Sequence, residues 1–289
     1  MTTPVVTVLG TGTMGAGMVR SLRRAEIPVR VWNRDISKAQ ALTDSGAEVF
    51  DSPTEAAKGA DVVLTMLMDA DSAIEVIHRA SPAADTIWMQ CSTVGVEGVE
   101  AMIATARELD LALVDCPVQG TRVPAETGKL VLLASGPEES HRRLAPVFAA
   151  VGAKTLWLGE AGAGSRLKLA TNAWVLMLTS GVAQSIALAR GLGVDPKDFF
   201  AAIEDGPLDS PYARVKGANM MDDDYPVNFA LPGAVKDAGL IRAALQSTGV
   251  ADRLIAAVLE TMKVASERVA DPNAVDMGAL IAGLTPRQR

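Results

Sequence analysis

The chain reads as an α/β protein: a doubly wound parallel sheet followed by an all-α domain joined to it by a long helix. Three observations carry that reading. Short β-branched runs alternate with amphipathic stretches from Val5 to Trp157, as strands and crossover helices do. A glycine-rich turn separates the first such run from the first amphipathic stretch. Beyond Gly164 strand signals cease and helical periodicity continues to the end. The expected domains are therefore residues 1–161 and 162–289.

The elements follow in order. Val5–Leu9 is expected as a strand, Met14–Arg24 as a helix and Val29–Trp32 as a second strand. Ser37–Ser45 reads as a helix, Glu48–Phe50 as a short strand and Pro53–Lys58 as a helical turn. Asp61–Met66 is the next strand. Its Val62-Val63-Leu64 core is apolar on consecutive positions, as happens when both faces of a sheet are covered. Ala70–Ile77 is a helix, Thr86–Gln90 a strand, Val96–Leu109 a helix and Ala112–Asp115 a strand. Lys129–Ala134 and Lys154–Trp157 are expected to close the same sheet, with helix Glu138–Ala150 between them. Ser165–Leu192 carries almost no turn signal and reads as one helix. Pro196–Ile203, Tyr212–Met221, Leu231–Gln246, Ala251–Glu267 and Met277–Leu284 are helical by pattern. Met220–Tyr225 suggests an exposed acidic loop, and the polar tail Thr285–Arg289 is expected to fray.

Composition narrows the function. Thirty-four acidic against 27 basic side chains give a net charge of -7, which argues against a nucleic-acid partner. Two cysteines, Cys91 and Cys116, are too few for a disulfide scaffold and suit a reducing cytoplasm. With only His78 and His141 beside them, no metal-ligand spacing arises. The start of the chain has neither a charged leader nor a small-residue cleavage site, so no signal peptide is expected. The most apolar stretch, Trp174–Leu188, is interrupted by Thr179, Ser180, Gln184 and Ser185, so no membrane partner is expected.

Gly10-Thr11-Gly12-Thr13-Met14-Gly15 lies between the first strand and the first helix. A lone GxGxxG is a weak signal; between a strand and a helix it is the dinucleotide-binding signature of a Rossmann domain. The first glycine permits the tight turn, the second lets a pyrophosphate approach, and the third lets helix and strand pack closely. The helix start offers free N–H groups and partial positive charge to the phosphates. The second strand ends in Asn33 and Arg34, where an NAD-selective site carries an acidic side chain for the ribose hydroxyl. Arg34, with Lys38 one turn on, would instead meet a 2′-phosphate, so NADP is preferred over NAD. Asp35 weakens that preference slightly.

Six motifs in order resemble the β-hydroxyacid dehydrogenase family, which includes 3-hydroxyisobutyrate dehydrogenases, tartronate semialdehyde reductases and glyoxylate/succinic semialdehyde reductases. They are the Gly10–Gly15 turn; Met66-Leu67-Met68; Cys91-Ser92-Thr93; the run Asp115-Cys116-Pro117-Val118-Gln119-Gly120-Thr121; Lys168 with Asn172; and Lys236-Asp237. The resemblance spans nearly the whole chain. It implies cofactor contacts at Met66, Leu67, Met68, Thr93 and Lys236. It implies substrate contacts at Ser92, Gln119, Gly120, Thr121, Lys168, Asn172, Lys236 and Asp237. Lys168 and Asn172 would be the catalytic pair. The chain departs from the family in carrying Gln119-Gly120-Thr121 for Ser-Gly-Gly, and Thr171-Asn172 for Asn-Asn.

Hydride transfer needs orientation from the protein and a group to handle one proton. Lys168 suits that task if its surroundings disfavour an extra charge. Asn172, four residues on, shares its helical face. A small carboxylate substrate would meet backbone N–H groups around Gly120–Arg122, with Trp174, Tyr212 and Phe229 as candidate pocket walls. His78 and His141 fall on polar helix faces away from the motifs, and both cysteines read as packing residues. Two alternatives stand beside the oxo-acid or semialdehyde reductase: an imine reductase on the same fold, and a non-catalytic NADP-binding sensor. The apolar long helix further predicts a homodimer or homotetramer.

Overall fold

The computed structural model describes residues 3–284; the tail expected to fray lies outside them. The chain runs β1 (Val6–Leu9), α1 (Thr13–Arg24), β2 (Val29–Trp32), α2 (Ile36–Gln40), β3 (Glu48–Val49), α3 (Pro53–Ala57), β4 (Val62–Thr65), α4 (Ala70–Ala80), β5 (Ile87–Gln90), α5 (Gly95–Glu108) and β6 (Ala112–Asp115). Then follow β7 (Val118–Gln119), α6 (Arg122–Thr127), β8 (Leu130–Ala134), α7 (Glu138–Val151) and β9 (Gly152–Trp157). The rest is helical: α8 (Ala163–Gly191), α9 (Pro196–Ile203), α10 (Pro211–Asp222), α11 (Leu231–Ser247) and α12 (Arg253–Arg268). The fold class is the one anticipated, an N-terminal Rossmann domain and a helical C-terminal domain. Two compact units meet in sequence at Lys168 and Leu169, within α8.

In the first unit β1 to β6 form one parallel sheet in the order β3-β2-β1-β4-β5-β6. The strand order reverses between β1 and β4, and that switch point opens a crevice at the strands' carboxyl ends. Alternate residues feed opposite cores. Val62 and Leu64 join Val6, Val8, Val31, Ile87 and Met89 on one side. Val63 joins Leu9, Trp32, Trp88 and Leu113 on the other. Both faces are therefore dry, which is why the central strands show no polar alternation. The buried exceptions are bonded: Thr7 Oγ1 donates to Ala56 O at 2.6 Å, and Trp88 Nε1 to Thr65 Oγ1 at 2.9 Å.

Four expectations need correction. The segments Lys129–Ala134 and Lys154–Trp157 do not close the main sheet. They make a second, three-stranded sheet in the order β7-β8-β9, with β7 antiparallel to β8 and β8 parallel to β9. Pro117 supplies no donor to extend β6, and the chain turns there into β7. An antiparallel bridge between Asp115 and Ser135 links the end of β6 to the chain just after β8. The helix expected over Ser37–Ser45 is split into α2 and a 3-10 turn, Thr43–Ser45, stopped by Gly46 at φ +81°. Met277–Gly283 is 3-10 rather than α, with its start capped by Asp276. The acidic loop begins only at Asp223, the left-handed cap of α10, and Met220 is buried inside that helix.

In the second unit Leu176, Val182 and Ile186 of α8, Leu231, Ala234 and Ile241 of α11, Ile255 and Met262 of α12, and Leu280 are all buried. Gly217 on α10 admits the Phe200 ring so closely that a Cβ there would lie 2.0 Å from its Cζ. A buried ion pair of Lys216 with Asp276 lies in the same unit, and the ammonium stands 5.4 Å from the centre of the Tyr212 ring. Asp276 also accepts the N–H groups of Phe229 and Gly278, each at 2.9 Å. Lys216→Met leaves that carboxylate buried without its counter-charge. The expected loss of unfolding free energy is about 3–5 kcal/mol, measured by urea titration of far-ultraviolet ellipticity. A loss under about 1 kcal/mol would place the pair among those worth no more than a surface contact.

Candidate active site

At the switch point the glycine turn follows steric necessity. Gly10 has φ +103°, and a Cβ on it would lie 2.4 Å from Met66 O, so β1 and β4 can splay around the turn only with glycine there. A Cβ on Gly15 would lie 2.0 Å from Gly10 O, so the turn folds directly onto the first turn of α1. Gly12 is different: it is the N-cap of α1, with no side-chain cap and nothing within 4 Å of an added Cβ. Thr13 beside it is exposed, Met14 is half-buried, and Thr11 Oγ1 is buried without a partner. Open space above an uncapped helix start is what a dinucleotide pyrophosphate needs. These residues fit a nicotinamide cofactor.

Neighbouring loops are tied to this turn by side chains. Asn33 Oδ1 accepts the Thr11 N–H at 3.0 Å, so the side chain expected near the ribose also fixes the glycine turn. Asp35 caps α2 through Ser37. The Ser37 hydroxyl bond holds its carboxyl below the usual carboxylate range, although the group is fully exposed. Arg34 and Lys38 are exposed at the same corner. Ser92 is buried, and its hydroxyl accepts the Leu67 N–H at 2.9 Å, binding the loop after β5 to the loop after β4. Gln90 Nε2 in turn donates to Ser92 O at 2.8 Å. Met66 and Thr93 are half-buried and Met68 is exposed.

Across the first unit, β7 carries the expected substrate segment. Gln119 and Thr121 are half-buried, and Gly120 is exposed at φ +120°. Lys168, only 8% exposed, donates from Nζ to Val118 O at 2.7 Å. A lysine buried to this degree is uncommon unless its amine is bonded. Asn172 follows one helical turn later on α8. Within the second unit its Nδ2 donates to Asp237 Oδ2 at 2.7 Å, and Asp237 Oδ1 lies 3.1 Å from Lys236 Nζ. Asp237 thereby orients the Asn172 amide. Of the candidate pocket walls, Trp174 is exposed on α8, Tyr212 supports Lys216, and Phe229 is half-buried. His141 stacks on Trp157 with ring centres 4.5 Å apart, and both cysteines are buried thiols.

Sequence reasoning missed the polar cluster of Asp115, Ser135 and Ser165. Asp115 lay inside the motif assigned to substrate. The available signal was an acidic residue ending an otherwise apolar strand, followed far downstream by a Gly-Ala-Gly-Ser helix start.

Residues 5–159 match the family described as the NAD binding domain of 6-phosphogluconate dehydrogenase. Residues 162–282 match the one described as NAD-binding of NADP-dependent 3-hydroxyisobutyrate dehydrogenase. The chain belongs to the β-hydroxyacid dehydrogenase family. Among curated relatives, glyoxylate/succinic semialdehyde reductase 2, chloroplastic, of Arabidopsis thaliana is 30% identical over 91% of this chain and 80% of its own length. The NAD-dependent L-serine dehydrogenase of Pseudomonas aeruginosa is 28% identical over 84% of this chain and 86% of its own. The solved 3-hydroxyisobutyrate dehydrogenase of Mycobacterium tuberculosis with L-serine superposes with a TM-score of 0.87 at 25% identity, covering 99% of this chain and 100% of that one. As a β-hydroxyacid dehydrogenase, the chain is an NAD(P)-dependent oxidoreductase acting on a CH–OH group.

The glycine turn yields a paired prediction. Gly12→Ala should keep the melting temperature, because its methyl meets open space, yet weaken binding of the reduced nicotinamide dinucleotide by about ten- to hundredfold, as expected for 1–3 kcal/mol of steric conflict. Gly15→Ala should lower both. Titration of nicotinamide fluorescence alongside thermal unfolding checks this. Unaltered binding by the Gly12 variant would move the pyrophosphate elsewhere.

Proposed function

We propose that the chain is an NADP(H)-linked reductase of small semialdehydes or oxo acids, equivalently a dehydrogenase of the matching hydroxy acids, with Lys168 handling the proton. The observation that carries this reading is the buried amine of Lys168 held against Val118 O on the segment where the family binds substrate. The bound nicotinamide would supply or accept the hydride. In the reducing direction the Lys168 ammonium donates to the carbonyl oxygen as negative charge develops there; in the oxidising direction the neutral amine takes the alcohol proton. Asn172, one turn further along α8, has its amide held by Asp237. Backbone N–H groups of Gly120 and Thr121 bind the carboxylate, and Gln119 replaces a smaller hydroxyl side chain at its edge.

The preference for NADP rests on Arg34 and Lys38, between which Asp35 is turned into its own helix cap. Arg34→Ala should raise the KM for NADPH by about ten- to hundredfold, the worth of a charge-assisted bond of 1.5–3 kcal/mol, while leaving that for NADH unchanged. Equal effects on both cofactors would remove the preference.

Lys168→Ala should lower kcat by about 10²–10⁴ with cofactor binding retained. The assay follows NADPH and NADH absorbance with glyoxylate, succinic semialdehyde, tartronate semialdehyde, methylmalonate semialdehyde and a cyclic imine. Turnover of the imine alone would make the chain an imine reductase. Cofactor binding without turnover of any of them would make it a sensor.

We further propose a homodimer or homotetramer. Trp174, Leu188 and Leu192 are exposed along or just beyond one stripe of α8 and leave a large apolar strip open to water. Light scattering should give at least twice the chain mass, and Trp174→Glu should shift it toward the monomer. A wild-type monomer would overturn the assembly.

A further inference from the structure

We infer that Asp115 is a positioning residue for the Lys168 amine, acting by capping the first turn of α8; the inference rests on Lys168 being the proton-handling group. Asp115 closes β6 and is fully buried. Its Oδ2 accepts the Ser165 N–H at 2.7 Å, and its Oδ1 accepts the Ser165 hydroxyl at 2.7 Å. Ser135, bridged to Asp115 by a reciprocal pair of backbone bonds at 2.9 and 2.8 Å, takes the next N–H: its Oγ accepts from Gly164 N at 2.9 Å. A helix leaves its first N–H groups without internal partners. Here two of them are taken by side chains from β6 and the end of β8.

The approach is too close for any side chain at Gly164, where a Cβ would lie 2.1 Å from Leu133 O and 2.9 Å from Asp115 O. The start of α8 is thus seated directly on strand backbone. Lys168 comes three residues after Ser165, one turn along the same face. Val118, whose carbonyl receives the amine, comes three residues after Asp115. The two bonds close a ring: Asp115 to Ser165, one turn of helix to Lys168, the amine to Val118, and the backbone back to Asp115. One segment therefore locates both the helix that carries the lysine and the tip of its side chain. Without the Asp115 bond the amine retains its contact with Val118, but the helix start from which its long, flexible stem springs is released.

Burial pushes the Asp115 carboxyl above the ordinary carboxylate range, and the Ser165 bonds oppose that push. The capping geometry does not depend on the charge. An amide can accept the Ser165 N–H through oxygen and donate to the Ser165 hydroxyl through nitrogen. Asparagine should therefore restore what alanine loses.

The test compares full-length wild type with Asp115→Ala, Asp115→Asn and Ser165→Ala. The readouts are kcat, KM, cofactor affinity, and hydrogen exchange of the segment 162–170. Asp115→Ala should lower kcat by about ten- to hundredfold, the cost of misplacing a reacting group by an ångström or less. Cofactor affinity should stay within about twofold, the scatter of neutral substitutions. Asp115→Asn should recover most of kcat. Ser165→Ala, which keeps the backbone bond, should fall between them, and exchange should quicken in Asp115→Ala and Ser165→Ala. The inference is overturned if both of these variants keep wild-type kcat and exchange, if kcat and cofactor affinity fall in proportion, or if asparagine is as impaired as alanine. Should Asp115→Ala not fold, Ser165→Ala and Asp115→Asn decide. Should wild type turn over none of the tested substrates, the role of Lys168 falls, while exchange still decides whether Asp115 holds the helix start.

Discussion

Backbone meets backbone at the carboxyl ends of β1 and β4, and the cofactor half of the protein is organised around that contact. The room between Gly10 and Met66 O is smaller than a methyl group, and so is the room between Gly15 and Gly10 O. The turn can form only where Gly10 and Gly15 fall at this spacing, and it leaves Gly12 facing open space. Once the strands close so tightly, α1 has one place to begin, and its unpaired N–H groups converge where phosphates would lie.

Polar side chains, most of them buried, then register the surrounding loops. Asn33 holds the turn to the end of β2, Ser92 joins the loops after β4 and β5, and Asp115 joins β6 to the start of α8. Lys168 closes the series on Val118. A buried polar group without a partner costs about 1–3 kcal/mol, so each bond penalises alternative loop positions more than it adds net stability. Two residues that vary from the family pattern, Gln119 on the short β7 and Thr121 at the N-cap of α6, sit half-buried.

The helical unit uses the same device with charges. Asp237 holds Asn172 of α8 and pairs with its neighbour Lys236 on α11, so one carboxylate engages two polar side chains from two helices. Asp276 gathers Lys216 and the backbone of the loop leading into α11, the helix that carries Lys236 and Asp237. These carboxylates tie helices and loops of the unit together at defined points.

Periodicity and turn chemistry are local, and what they govern was legible in the chain. The six strands with their crossover helices, the glycine turn and the long helix could all be read from residues a few positions apart. The division of the strands into two sheets could not, because it follows from the donor missing at Pro117 and from a bridge between Asp115 and Ser135, residues distant in sequence. Nor could the partners of the site side chains. Ser92 bonding Leu67, Asn33 bonding Thr11 and Asp115 bonding Ser165 each span 22 to 50 residues. A side chain's hydrogen bond is set by which loops the packed strands bring within 3 Å, and no pattern along the chain encodes that distance.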